Sequence, residues 1–157
     1  IIPETIYGIL KKLGICGLWI IRWHKSTPLC DYEPLSLTSL STHDTQTFEQ
    51  WWNENKREAQ SLCFTNKWNY NPKLTSSLRL KILQSIHNSS SIFHVNLLQE
   101  YLALYKHLVK KQERINIPGK VNKINWTYKY KPFIEELTSN KKLSKIMRLI
   151  TATPKID

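Results

Sequence analysis

The chain opens with an amphipathic stretch followed by a short apolar run. Apolar residues recur at a spacing of i, i+3, i+4 and i+7 in Ile6, Ile9, Leu10 and Leu13. This spacing predicts one amphipathic helix, with Pro3 in its first turn and Gly14 ending it in the left-handed conformation. Residues 18–21 are continuously apolar, which is typical of a strand covered on both faces.

A second strand is predicted after a loop rich in Ser, Thr, Pro and Asp. Residues 35–40 alternate apolar side chains with Ser or Thr, and we expect the strand to end near Ser41. Residues 48–52 carry apolar side chains at helical spacing, so a helix follows. Asp44 or Thr45 is available as its N-cap.

The rest of the chain continues this alternation of strand and helix. Residues 59–73 are polar and aromatic without a clear period, and residues 88–91 form a polar break. The predicted elements are a helix over 74–86, a third strand over 92–98, a short helix over 102–109, an extended loop over 114–131 and a last helical region over 133–150.

Alternating strands and helices predict an α/β fold built from parallel units. Connections in such units are right-handed, and their functional sites lie at the carboxyl ends of the strands. Three strands cannot close a barrel and would leave an unpaired sheet edge. The chain begins at Ile1 without an initiator Met. We therefore expect residues 1–157 to form one partial domain of a longer protein.

The basic charge of the chain raises the possibility of a nucleic-acid partner. The formal net charge is +11 and the pI is near 9.6. The Lys and Arg residues of the last third, however, are scattered among apolar residues rather than clustered, which favours a solvated surface. A small basic nucleic-acid-binding protein is kept as the alternative function.

The cysteines and the hydropathy pattern indicate in which cellular compartment the protein is expected. Cys16, Cys30 and Cys63 match neither a zinc pattern nor a disulfide framework, which favours reduced thiols in a cytoplasmic protein. No run of about 18 apolar residues is present, so neither a signal peptide nor a membrane span is predicted.

The segment Thr42-His43-Asp44 is the sharpest chemical signal, because it falls where the second strand gives way to a helix. A carboxylate and an imidazole there would face a pocket. An N-cap beside a histidine would explain the same pair. Glycoside chemistry in retaining enzymes needs two carboxyl groups about 5 to 5.5 Å apart. No second carboxylate has a comparable position at a strand end.

Four groups of residues, in order along the chain, resemble successive landmarks of the amylomaltases, the 4-α-glucanotransferases related to the α-amylases. The matching segments are Ile2-Pro3-Glu4 with Leu13-Gly14-Ile15-Cys16-Gly17-Leu18, Leu37-Thr38-Ser39-Leu40-Ser41-Thr42-His43-Asp44-Thr45, Asn96-Leu97-Leu98-Gln99-Glu100, and Arg114-Ile115-Asn116-Ile117-Pro118-Gly119 with Asn125-Trp126. Together they span nearly the whole chain.

The resemblance implies the C-terminal portion of a (β/α)8 barrel, with the three strands as the sixth, seventh and eighth. The nucleophilic aspartate and the acid/base glutamate would then precede Ile1. Asp44 matches the third aspartate, which stabilises the transition state, and His43 matches its sugar-binding neighbour. Arg114 and Asn116 match a polar loop that closes over the site, and Asn116 is the best further candidate for a sugar contact. A loop-fixing role would explain Asn116 equally well.

The resemblance also implies an activity, namely disproportionation of α-1,4-glucans by a retaining double displacement. The expected partners are maltose, maltooligosaccharides, glycogen or starch, together with the upstream remainder of the barrel. No metal, organic cofactor, nucleic acid or membrane is expected, and the chain by itself should be inactive.

Two positions depart from the family pattern. The role of several tryptophans is also left open by the sequence. Glu100 stands where the family more often has Asp, and Lys129 stands near a usual Arg. Tryptophans could stack on sugar rings, but at helical or strand spacing they are usually core residues. The tryptophans concerned are Trp19, Trp23, Trp51, Trp52 and Trp68.

Overall fold

The computed structural model of the protein describes residues 4–110 and 114–152. Three short strands form a parallel sheet in the order β1-β2-β3, where β1 is Gly17–Ile20, β2 is Ser36–Ser39 and β3 is Phe93–His94. The predicted parallel arrangement is therefore confirmed, and the carboxyl ends of all three strands lie at one edge of the sheet.

Helices separate and follow the strands. In the described residues they are α1 (Glu4–Lys12), α2 (Phe48–Glu54), α3 (Lys56–Thr65), α4 (Ser76–His87), α5 (Leu98–Leu102), α6 (Ile134–Ser139) and α7 (Lys141–Thr151), with short 3-10 helices at Leu29–Asp31 and Lys106–Leu108. The predicted position of Pro3 lies outside the described residues. No helix in 4–110 or 114–152 has the length and apolar character needed to cross a membrane.

The main core lies among the helices that follow β2. Trp52 and Phe48 from α2 pack with Leu62 from α3 and Ile82 from α4, and all four are fully buried. Ile150 from α7 joins the same cluster. The helical spacing predicted for α2 and α4 therefore corresponds to buried faces.

Coverage of β1 differs from the prediction. Leu18 is exposed and Trp19 is only partly buried, so this strand is not covered on both faces. Ile6, Ile9 and Leu13 on the predicted apolar face of α1 are also exposed. A continuous apolar run indicates that a strand is suited to burial. Burial itself requires a neighbouring element that packs on the strand, and the described residues supply no such element at Leu18.

Helix α3 was missed in the sequence because its apolar signal is small. Its buried residues are Ala59, Leu62 and Cys63. Their spacing of i, i+3 and i+4 is helical, but two of the three side chains are small. The helix starts one residue after Asn55, which ends α2.

The third strand and the helix after it are shifted relative to the prediction. The strand predicted over 92–98 is reduced to Phe93–His94, because the Asn96 side chain takes over the pairing with the neighbouring strand. Its Oδ1 accepts hydrogen bonds from the Leu40 N–H at 2.8 Å and from the Ser39 hydroxyl at 3.3 Å. The chain then turns into α5 at Leu98, earlier than predicted.

The predicted last helical region is two helices divided at Asn140. The Asn140 side chain accepts a hydrogen bond from the Leu143 N–H at 3.0 Å, which makes it the N-cap of α7. An N-cap residue has non-helical backbone angles, so α6 ends where α7 begins.

A pair of histidines is partly buried beside the end of β3. The rings of His87 and His94 lie 3.9 Å apart between centroids. Asn96 Nδ2 donates to His94 Nε2 at 2.8 Å, while the Tyr101 hydroxyl and His87 Nε2 are hydrogen-bonded at 3.0 Å. Burial, reinforced by His87, lowers the pKa of His94 from 6.5 to about 3. Burial also lowers the pKa of His87, so the surroundings favour the neutral form of both rings.

We expect the stability of the protein to fall as the pH drops from about 6.5 toward about 3, because the unfolded chain then takes up a proton at His94 that the folded chain refuses. The contribution approaches about 1.4 kcal/mol per pH unit for one proton. Thermal unfolding midpoints measured from pH 7 to pH 4 should flatten in His94→Gln. They should keep the wild-type slope in His107→Gln, which changes an exposed histidine. Equal slopes for both variants would contradict this assignment.

Candidate active site

His43 and Asp44 lie in the loop between β2 and α2, at the carboxyl end of the central strand. Their side chains are 51% and 44% exposed. Asp44 does not cap α2, and neither does Thr45. The N-cap is Thr47, whose side chain accepts from the Gln50 N–H at 3.3 Å while the Gln50 side chain accepts from the Thr47 N–H at 3.1 Å. The capping explanation of the His-Asp pair is therefore wrong, and the Asp44 carboxylate is available for another role.

All four residues predicted for the site come together, although about 70 positions separate His43 and Asp44 from Arg114 and Asn116 in the chain. Asn116 Nδ2 donates to Asp44 Oδ1 at 2.7 Å, and the Asn116 N–H donates to the His43 carbonyl at 3.0 Å. Arg114 Nη2 donates to the Asp44 carbonyl at 3.2 Å. His43 Nε2 lies 3.3 Å from the same Asp44 Oδ1.

These contacts leave the two carboxylate oxygens of Asp44 in different situations. Oδ1 is approached by both Asn116 and His43. Within 4–110 and 114–152, no side chain or backbone group donates a hydrogen bond to Oδ2. The contacts at Oδ1 fix the orientation of the carboxylate, and 44% of the Asp44 side chain is exposed.

Asn125 fixes the loop that carries Arg114 and Asn116. Its Oδ1 accepts from the Ile117 N–H at 3.1 Å, and its Nδ2 donates to the Lys120 carbonyl at 2.8 Å. Asn125 therefore fixes this loop, and the Asn116 side chain contacts the Asp44 carboxylate directly.

Sequence reasoning missed Arg22, which connects the end of β1 to the loop that carries Asp44. Its Nη2 donates to the Gln46 carbonyl at 2.5 Å and to the Thr45 hydroxyl at 2.9 Å. Burial lowers the pKa of Arg22 to about 10, with Glu100 opposing this shift and Arg114 adding to it, so the guanidinium stays charged at neutral pH. The available signal was an arginine directly after the apolar run of the first strand.

Sequence reasoning also missed the role of Glu100. This residue is 1% exposed, and its Oε1 accepts hydrogen bonds from the Ser41 hydroxyl at 2.5 Å and from the Phe48 N–H at 2.9 Å. Ser41 and Phe48 stand on either side of residues 42–47. One buried carboxylate therefore holds both ends of the loop that carries Asp44.

The charge of Glu100 is balanced by a buried arginine. Glu100 Oε2 lies 3.4 Å from Arg79 Nη1, and Arg79 Nη2 lies 2.5 Å from Glu49 Oε2. Arg79 is 2% exposed, so both partners of the Glu100–Arg79 pair are removed from water. A buried charge is tolerated only when it is paired in this way.

An open cleft of about 1170 Å³ lies against this site. Its lining includes Asp44, Arg22 and Arg114, and aromatic residues of the α1–β1 side contribute Tyr7 and Trp23. Trp23 is half exposed. Of the other tryptophans considered, Trp19 and Trp51 also line the cleft, and Trp51, Trp52 and Trp68 are buried.

The described part of the chain contains no group of side chains able to hold a metal ion. Among residues 4–110 and 114–152, no three His, Cys, Asp or Glu side chains are grouped so that they could hold an ion. The side chains that the described residues bring together around Asp44 are its own carboxylate, the His43 imidazole, the Asn116 amide and the Arg114 guanidinium.

Comparison with solved structures identifies the fold. An amylomaltase from Streptococcus agalactiae, solved in complex with acarbose, superimposes with a TM-score of 0.59 at 20% identity over 96% of this chain. The amylomaltase from Corynebacterium glutamicum gives a TM-score of 0.58 at 17% identity, also over 96%. This chain covers 30% and 27% of those two structures.

Comparison of sequences identifies the family. The model of the 4-alpha-glucanotransferase family matches residues 1–138, and the chain belongs to that family. It is 44% identical to the 4-alpha-glucanotransferase of Chlamydia pneumoniae in an alignment of 154 positions that covers 92% of this chain and 29% of that protein. It is 43% identical to the Chlamydia caviae protein in an alignment of 149 positions that covers 88% of this chain and 28% of that protein. The chain thus spans about 30% of the length of its relatives.

We expect Glu100→Ala to destabilise the protein by about 3 kcal/mol, because the change leaves Arg79 buried with one carboxylate fewer and frees both ends of the Asp44 loop. Chemical denaturation gives the measurement. Glu49→Ala is the matched control, since it removes the other, more exposed partner of Arg79 without touching the loop. Equal losses in the two variants would show that pairing with Arg79, rather than the loop contacts of Glu100, is what matters.

Proposed function

We propose that this chain is the C-terminal part of the catalytic barrel of a 4-α-glucanotransferase, and that Asp44 is its transition-state-stabilising carboxylate. In this proposal β1, β2 and β3 are the sixth, seventh and eighth strands of a (β/α)8 barrel, and residues 1–157 belong to one partial domain. The family membership supports the activity, and the length of the relatives supports a larger barrel.

The observation that carries the proposal is the state of the Asp44 carboxylate. It lies at the tip of the central strand, with Oδ1 held by Asn116 and with 44% of the side chain exposed. A carboxylate in this position can accept hydrogen bonds from hydroxyls of the sugar being cleaved. Those bonds strengthen as the ring distorts and positive charge develops, so the group favours an oxocarbenium-like transition state.

The attacking and proton-transferring groups belong to the remainder of the protein in this proposal. An aspartate nucleophile and a glutamate acid/base would lie upstream of Ile1, and this chain by itself would be inactive. The covalent glucosyl intermediate is passed to the 4-hydroxyl of a second glucan instead of water, with retention of configuration. Neither a metal nor an organic cofactor takes part.

Of the residues around Asp44, two can contact the ligand and one positions the backbone. His43 is half exposed, and together with Asn116 it can reach the sugar beside Asp44. Arg114 lines the cleft, but its Nε and Nη2 groups donate to the carbonyls of Asn116 and Asp44. Arg114 therefore contributes to substrate binding mainly by fixing the backbone around Asp44.

The substrate class follows from the family and from the shape of the site. We propose α-1,4-glucans, namely maltose, maltooligosaccharides, glycogen or starch. The open cleft of about 1170 Å³ can take a chain of several sugar rings. The acarbose complex of the Streptococcus agalactiae protein supports a ligand of this type. No observation favours the nucleic-acid alternative.

Asp44→Asn in the full gene product should lower the rate of disproportionation at least about 100-fold, because the neutral amide no longer stabilises the developing charge. Release of glucose from maltotriose, together with formation of longer chains, is the assay. Asp31→Asn changes an exposed carboxylate at the end of the 3-10 helix Leu29–Asp31 and should leave the rate unchanged. A wild-type protein that makes no glucose would refute the activity. An active Asp44→Asn variant would refute only the role of Asp44.

Asn116→Ala should reduce kcat/KM roughly tenfold or more, since a hydrogen bond to a charged group contributes about 1.5 to 3 kcal/mol. The thermal midpoint should stay close to that of the wild type. Asn53→Ala, which removes an exposed amide of α2, is the control. Loss of activity with an equal loss of stability would instead point to a structural role for Asn116.

A further inference from the structure

Trp126 exposes a large aromatic surface to solvent. Its side chain is 65% exposed, whereas Trp52 and Trp68 are buried in the core. Single exposed apolar residues are common on protein surfaces and need no special explanation. The backbone and the neighbours of Trp126 are therefore needed to decide what this indole does.

The backbone at Trp126 is held in a conformation that a bulky residue rarely adopts. Its φ is +63°, in the left-handed region. The conformation is fixed by a hydrogen bond from the Trp126 N–H to the Ile115 carbonyl at 2.9 Å, next to the contacts of Asn125. Such a conformation costs on the order of 1 to 3 kcal/mol and persists where the surrounding structure enforces it, often at ligand sites.

The loop places the indole next to the site. The rings of Trp126 and His43 lie 5.2 Å apart between centroids, tilted by 41°. His43 in turn lies 3.3 Å from the Asp44 carboxylate. Asn116, ten residues before Trp126 in the same loop, donates to that carboxylate. One loop thus brings an exposed aromatic face and a carboxylate-orienting amide to the same place.

A glucose ring matches this combination of groups. Its hydroxyls point outward around the ring, and its two faces are formed largely by C–H groups. An indole can cover a C–H face while the carboxylate of Asp44 and the imidazole of His43 meet the hydroxyls at the edge. An aromatic ring contributes a large contact area with little loss of conformational entropy.

We propose that Trp126 is a sugar-binding residue, an aromatic platform that stacks on a glucosyl unit of the α-1,4-glucan next to Asp44. The proposal rests on the function proposed above and extends it by one binding subsite. It also explains why a bulky residue occupies a left-handed position where Gly would be unstrained. The large side chain there serves ligand binding rather than the loop.

The first test compares two substitutions in the full gene product. Trp126→Gly removes the ring and suits the positive φ, so the loop keeps its conformation. Trp126→Tyr keeps an aromatic face. We expect the KM for maltotriose to rise about 3- to 10-fold in Trp126→Gly, in line with the strength of aromatic contacts. Trp126→Tyr should stay within about twofold of the wild type, and Phe64→Ala, which removes an 87% exposed ring of α3, should have no effect.

The second test needs no substitution. N-bromosuccinimide oxidises exposed indoles, and mass spectrometry locates the modified residue. We expect maltotriose to protect Trp126 of the wild-type protein from oxidation and sucrose to give no protection. Unprotected Trp126 would overturn the platform even if the Gly variant proved unstable.

The two proposals fail in different ways. A wild-type protein that releases glucose from maltotriose, combined with an unchanged KM in Trp126→Gly, would remove the platform and leave the proposed function standing. A wild-type protein that releases no glucose, yet shows Trp126 protected by maltotriose, would remove the transferase function and leave a sugar-binding site.

Discussion

The buried carboxylate of Glu100 is the constraint on which the site depends. It accepts hydrogen bonds from Ser41, just after β2, and from the first N–H of α2 at Phe48. The segment between these two points carries His43 and Asp44, so its ends cannot move independently. Because the carboxylate is fully buried and paired with Arg79, loss of these contacts would leave charge in a dry environment.

Two further anchors act on the same loop from different sides. Arg22 at the end of β1 binds the backbone at Gln46, and Asn116 binds the backbone of His43 and the carboxylate of Asp44. All three anchors act on the loop or on its ends. A carboxylate oriented in this way needs little reorganisation when a charged transition state forms, and such preorganisation is the main source of electrostatic catalysis.

The exposed apolar face of α1 and the outer edges of the sheet are consistent with a larger assembly. β1 and β3 each pair with β2 alone within the described residues, and the apolar face of α1 at Ile6, Ile9 and Leu13 is exposed. An upstream portion of a barrel, as proposed, would cover that face and extend the sheet at its edge. The open cleft is lined from α1 by Tyr7, and the half-exposed Trp23 also belongs to its lining.

The sequence predicted what depends on local pattern. The three parallel strands, the position of His43 and Asp44 at a strand end, and α1, α2 and α4 follow from spacing and composition. The contacts of Glu100 with Ser41 and of Arg22 with Gln46 could not be predicted from spacing, since they join residues that are far apart in the chain. The resemblance of separate segments to one family did bring Asn116 and Asp44 into one site, because a family pattern carries tertiary information that periodicity lacks.

The most direct measurement is a crystal structure of the full gene product with a bound maltooligosaccharide. The account predicts that Asp44 Oδ2 lies at hydrogen-bond distance, about 2.5 to 3.0 Å, from hydroxyls of one glucosyl ring, with Oδ1 still held by Asn116. A saccharide bound away from the carboxyl ends of β1, β2 and β3, or an Asp44 side chain turned away from it, would contradict the account.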